Sequence, residues 1–234
     1  MKSCPKCEAQ NESDSKFCQK CGYDLSNESP INHTEPLSHE LKEKGALEHL
    51  QIGYQIALTQ PIVFLPSIIA GLLGIIVGYL PGNTGYSAVL IGLAISIISF
   101  ILSFASTDMS RDAYFKQPLE LGKSVNYIVG RFFEFLIAAI VGGLLSITII
   151  LIPVVIFMLV IMVLDEAAMW DSFSRALDVI RSDLKDVLVI LILSIVASVI
   201  VGYVPFFSSL LDSMINVIVG IAFIDVYVTY KGTQ

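Results

Sequence analysis

Four cysteines within the first 21 residues carry the most specific chemistry in this chain of 234. Cys4-Pro5-Lys6-Cys7 and Cys18-Gln19-Lys20-Cys21 are two CxxC pairs with ten residues between them. Each CxxC turn aims two thiolates at one centre, and two such turns on a short hairpin complete the tetrahedral sulfur set of a closed structural zinc site. Gly22, directly after the second pair, supplies permissive backbone through which amide groups can turn toward the sulfurs. Redox pairs, two disulfides or a rubredoxin-like iron site are the other uses of this spacing. A segment of about 25 residues buries too little surface to fold unaided, so one bound structural zinc ion is expected to supply most of its folding free energy.

A second candidate set consists of polar residues embedded in apolar sequence. Asp165 and Glu166 arrive 12 and 13 residues after Pro153, Glu134 lies early in one apolar span, and Asp225 lies late in another. Charges isolated in hydrocarbon cost several kcal/mol unless paired or hydrated. Two uses are therefore open: the four carboxylates ring an inward-facing vestibule for a cation or proton, or they mark helix ends, paired with Arg131, Arg111 or Lys123. Asp212 and Asn216, four residues apart, share one helix face and suit either polar adhesion between helices or a transport site. His33, His39 and His49 sit in polar contexts and read as solvated.

The elements that must position these groups follow from composition. With 55% hydrophobic and 15% charged residues, the chain lies outside the range of soluble domains. The reading is an all-α integral membrane protein with a small N-terminal zinc ribbon: residues 1–25 the ribbon, 26–40 a flexible linker, and 41–234 six transmembrane helices in three hairpins. An amphipathic interfacial helix precedes each hairpin. Leu47, Leu50, Tyr54 and Leu58 mark the first; Leu121, Val125, Ile128 and Phe132 the second; Trp170, Phe173, Leu177, Ile180 and Leu184 the third. Trp170 also fits an aromatic anchor at the interface. The apolar spans are expected at Pro61–Leu80, Tyr86–Ser106, up to Ile152, from Pro153, Val187–Val204 and from Phe206 to about Thr229. Each outgoing span closes on an aliphatic residue and a proline (Leu80-Pro81, Ile152-Pro153, Val204-Pro205). Aligning those prolines superposes Ala70, Gly142 and Ser194, and likewise Gly74, Ser146 and Ser198, which suggests a triplicated hairpin.

Charge sets the expected orientation. The three outer turns carry no Lys or Arg, and all 14 basic residues fall on the other side, which places both termini in the cytoplasm of a cell-membrane protein. The reducing cytoplasm also suits thiolate ligands. The net charge of −7, with four Lys balanced by four acidic residues in 1–25, disfavours nucleic-acid binding and leaves protein contact as the better role for the ribbon.

Residues 4 to 22 resemble the short zinc ribbons at the N-termini of many prokaryotic membrane proteins. A Pro-Leu-x-Leu-Gly lead-in at Pro118–Gly122, an apolar hairpin, an acid at the end of a span, and Asp-Ser-Phe-Ser-Arg-Ala-Leu at Asp171–Leu177 follow further on. This middle third is similar to the membrane domain fused to some bacterial glycerophosphodiester phosphodiesterases and also found alone. The resemblance implies a helical membrane domain; the phosphodiesterase barrel is absent, so that activity is not implied. No GxSxG, HExxH or phosphate-cradling glycine loop occurs, and no enzyme activity is expected. The function expected is a scaffold or regulator acting through a protein partner at the lipid bilayer. The alternative is a transporter or channel for a cation or small solute.

Overall fold

The computed structural model describes residues 2–3, 10–11, 44–79, 86–204 and 207–232. The chain divides into two compact units, Met1–Glu43 and Lys44–Gln234. In the first, strand β1 (Lys2–Ser3) pairs antiparallel with β2 (Gln10–Asn11), Lys2 opposite Asn11 and Ser3 opposite Gln10. The four cysteines, the linker, His33 and His39 lie outside the described residues.

The described residues of the second unit form helices joined by short turns. Helix α1 (Ala46–Thr59) leads through a one-turn 3-10 segment at Pro61–Phe64 into α2 (Leu65–Tyr79). α3 (Tyr86–Tyr114) packs beside α2. α4 (Leu121–Gly130) turns at Arg131 into α5 (Phe132–Leu145), which packs beside α6 (Ile152–Leu164). α7 (Met169–Gly202) and α8 (Ser208–Gly232) complete the bundle. The bends between α1 and α2 and between α4 and α5 are 99° and 76°. The corresponding break in α7 falls at Asp183, whose φ of −140° and ψ of 44° interrupt an otherwise continuous helix of 34 residues. Each part of the unit thus has the same plan: a short amphipathic helix, a change of direction, and an apolar pair.

Three helices, α3, α7 and α8, are long and apolar enough to cross a membrane, and up to five crossings result if each bent pair counts as one. α5 and α6 have 14 and 13 residues. At 1.5 Å per residue each reaches only about 20 Å, short of a hydrocarbon core of about 30 Å. The expected second outgoing span, drawn to Ile152, ends at Leu145; residues 149–151 form a 3-10 turn, and Pro153 sits in the first turn of α6, where its missing N–H costs nothing. α3 departs in the opposite sense. It runs to Tyr114 rather than Ser106, so Asp108, Arg111 and Asp112 belong to its last turns and not to a loop.

Packing follows membrane rules. α1 turns Ala46, His49, Gly53 and Ala57 inward, whereas Leu47, Tyr54 and Leu58 of the expected stripe face outward. Where the surroundings are themselves apolar, large side chains gain little by turning inward, and small residues let backbones approach. Gly53 illustrates this: a Cβ there would sit 2.4 Å from the Ile218 carbonyl oxygen on α8. Gly142 plays the same part on α5, its missing Cβ position lying 2.7 Å from Val155 on α6. Gly74, aligned with Ser146 and Ser198 by sequence, has nothing within 4 Å. The core threads between α6, α7 and α8 through Phe157, Ile161, Val179, Ile190 and Phe223.

Candidate functional site

Buried polar groups collect at one end of the bundle, where α1 begins and where α3, α6 and α8 finish. Asp225 on α8 is 1% exposed and is held from three sides. Lys44 donates to its two carboxylate oxygens at 3.0 and 3.2 Å, Tyr114 on α3 donates at 2.6 Å, and His49 Nδ1 on α1 lies 2.6 Å from Oδ2. His49 is itself 1% exposed, which corrects the reading of it as solvated. The α1 face that Gly53 brings against α8 carries His49 inward with it. Ala46 N–H donates to Asp186 on α7, so an acid also meets the positive end of the α1 dipole.

The C-terminal end of α6 is satisfied by two arginines. Arg111 Nη1 donates to the Val163 carbonyl at 3.0 Å, and Arg131 donates to those of Met162 and Ala167 at 3.2 and 3.1 Å. The last four carbonyls of any helix lack intrahelical partners. A 13-residue helix that stops inside the protein therefore needs such donors, and guanidinium groups also offset the negative end of its dipole. Arg131 is fixed by Glu134 at 2.6 Å and Tyr127 at 2.7 Å, and it stacks on the Tyr127 and Phe135 rings. Arg111 lies between the buried carboxylates of Asp108 and Asp112, at 2.8 and 2.9 Å. The Asp108 contact is one of charge, because Oδ1 receives no well-directed hydrogen bond.

Asp165, directly after α6, accepts from Tyr227 at 2.7 Å and Lys231 at 3.0 Å on α8, and from Arg175 at 2.9 Å on α7. Partial burial would push its carboxyl up, but the Tyr227 hydroxyl and the cations of Lys231 and Arg175 hold it below the ordinary carboxylate range. Glu166 adopts a φ of 52°, the left-handed region. With Glu134, Arg131 and Trp170 it lines a pocket of about 490 Å³.

The expected acidic residues are thus distributed. Glu134 and Glu166 share one pocket, while Asp165 and Asp225 each sit in a separate net of hydrogen bonds. Asp212 and Asn216 are joined, Asn216 donating to Asp212 at 3.1 Å, and Ser198 on α7 donates to the other carboxylate oxygen. Of the expected cationic partners, Arg131 pairs with Glu134, while Arg111 and Lys123 turn to Asp112. Lys44, His49, Asp108, Tyr114, Tyr227 and Lys231 were not singled out as site residues by their sequence context. The detectable signal was helical period: His49, Gly53 and Ala57 recur at four-residue spacing on one face.

The β1–β2 pairing, Ser3 opposite Gln10, lies on either side of the first CxxC pair in sequence. Two CxxC pairs, Cys4 with Cys7 and Cys18 with Cys21, are a donor set suited to zinc. Among the described residues no group of His, Cys, Asp or Glu is placed to hold a metal.

Neither a curated protein nor a solved structure matches the chain, so the resemblance of its middle third to the phosphodiesterase-associated membrane domain rests on those residues alone. Residues 3–25 match the family model of a zinc-ribbon domain: the chain joins a zinc ribbon to a helical unit in which three helices are long and apolar enough to cross a membrane.

Proposed function

We propose that the protein is a non-enzymatic membrane scaffold or regulator whose zinc ribbon contacts a protein partner. In this reading Cys4, Cys7, Cys18 and Cys21 hold one structural zinc ion. The observation that carries it is the contrast between the two units. Residues 3–25 match a zinc ribbon, the module to which this reading gives the partner contact, whereas Asp225 and Asp165 in the helical unit are engaged in ties between α1, α3, α6, α7 and α8. The competing reading, a transporter using Asp165, Glu166, Glu134 and Asp225, draws less support because these acids do not line one shared cavity.

We also propose six passes with both termini cytoplasmic. Contacts of Lys44, Arg111, Lys123, Arg131, Arg175 and Lys231 all fall at the end where α3, α6 and α8 finish, as the positive-inside rule requires of a cytoplasmic face. The helices pair as α2 with α3, α5 with α6, and α7 with α8. Each pair returns the chain to the side it left, so the termini share a side whether the short α5–α6 pair crosses a thinned bilayer or only enters it.

The test is affinity capture from native membranes with full-length protein and a Cys18→Ser, Cys21→Ser variant. Partners held by the native protein and lost with the variant support the reading; an identical set removes its support.

A further inference from the structure

An open cleft of about 660 Å³ lies between α3, α6, α7 and α8. Protein interiors are close-packed, and cavities of this size are characteristic of ligand sites. Its lining mixes apolar side chains, among them Phe104, Ile156, Leu159, Leu191 and Phe223, with the polar side chains of Ser103, Thr107, Ser194, Ser198 and Asn216. Asn216 is the ninth residue of α8, about 12 Å along the helix from its start, and is exposed within this cleft. An amide facing hydrocarbon without a partner costs several kcal/mol. Its Nδ2 donates to Asp212, and no described residue meets its carbonyl oxygen.

The hydroxyl protons of the lining are already committed. Ser103 donates to the Ser99 carbonyl, Thr107 to that of Ser103, Ser194 to that of Leu191, and Ser198 to Asp212. What faces the cleft is therefore mainly acceptor oxygen, with the Asp212 carboxylate immediately behind Ser198 and Asn216. Acceptor groups backed by negative charge within an otherwise apolar lining select a chain-bearing donor of positive charge. From this geometry we infer that the cleft is a binding site for a lipophilic amine, its ammonium group against Asn216 and the hydroxyls and its chain along Phe104, Leu191 and Phe223. This site is independent of the zinc ribbon and of the scaffold reading.

Gly220 supplies a selective test: it lines the cleft, and a Cβ there would meet nothing within 4 Å, so a larger side chain has open space to grow into. Full-length protein in nanodiscs is titrated calorimetrically with dodecylamine, dodecan-1-ol and dodecanoate, with empty nanodiscs subtracted. The expected result is saturable binding of dodecylamine, weaker binding of the alcohol and none of the carboxylate. Gly220→Leu abolishes the saturable component at an unchanged melting temperature. Asp212→Asn weakens dodecylamine about tenfold while leaving the alcohol unaffected. Equal partitioning of all three chains, or dodecylamine binding that survives Gly220→Leu, overturns the assignment. So does an alcohol that binds as tightly as the amine with Asp212→Asn without effect.

Discussion

His49 and Asp225, 176 positions apart in sequence, meet at 2.6 Å inside the bundle. Their contact fastens the first helix of the membrane unit to the last, and Tyr114 and Lys44 complete the ring around the same carboxylate. Removing that carboxylate takes away the acceptor shared by Lys44, Tyr114 and His49 inside the bundle. Asp225→Ala is therefore expected to cost about 3–5 kcal/mol. It should lower the melting temperature of the detergent-solubilised protein sharply, whereas Leu47→Ala, at a 70% exposed position on the same helix, should leave it unchanged. Equal melting temperatures for the two variants would show that the ring does not hold α1.

How much of this was legible in sequence depends on which physical rule applies. The CxxC pairs declare themselves because thiolate spacing is set by local turn geometry, and the family match at residues 3–25 agrees. α3, α7 and α8 were legible because an uncharged run long enough to cross hydrocarbon has few other uses. The inward face of α1 was not, because burial in lipid inverts the hydrophobic signal: Leu47 and Tyr54 point away, and His49 and Gly53 point in. The ends of α3 and α5 were displaced for a related reason. Arg111 is tolerated inside α3 because Asp108, Asp112 and the Val163 carbonyl surround it, and no local pattern announces partners 52 residues away.

Arg131 makes a substitution test of the α6 terminus. Its planar fork reaches the Met162 and Ala167 carbonyls, Glu134 and Tyr127 together, which a single ammonium cannot do. Hydrogen bonds to charged donors are worth about 1.5–3 kcal/mol each. Arg131→Lys should lose most of one such bond's worth of stability and raise hydrogen exchange at the end of α6. Exchange there that matches the native protein would assign the cap to Arg111 alone.

Asp165 gives the bundle an acid limit. Its carboxyl lies below the ordinary value in the folded protein, so near pH 4 the unfolded chain binds more protons than the folded one. The stabilisation is fully present above the unfolded pKa of about 3.9 and is lost as pH falls through the lower folded value. The gap in melting temperature between native protein and Asp165→Asn should therefore be constant near pH 6 and narrow as pH is lowered toward 3. A constant offset across the range would contradict this linkage.

Gly53 and Gly74 offer a paired test of close helix approach. A side chain at Gly53 collides with α8 backbone, which cannot rotate aside, whereas one at Gly74 meets open space. Overpacking costs about 1–3 kcal/mol. Gly53→Ala should lower the melting temperature and expose the 44–60 segment to protease, and Gly74→Ala should do neither. Matching behaviour of the two would mean that α1 is not seated against α8.

The ribbon's dependence on metal separates the two units energetically. Only 23 residues, 3–25, match the zinc-ribbon model, too few to form a core that stands without an ion. Four thiolates in two CxxC pairs fit one zinc, so purified protein should carry about one equivalent by elemental analysis. Because ligand thiolates must be deprotonated, chelation at mildly acidic pH should strip the ion faster than at neutral pH. Stripping it should render residues 1–25 protease-sensitive while the helical circular dichroism of the membrane unit stays constant, since the buried ties of Asp225 and Asp165 lie wholly within residues 44–231. Helicity that falls with the zinc would show that the ribbon supports the bundle, and the scaffold reading would then need the two units to act as one.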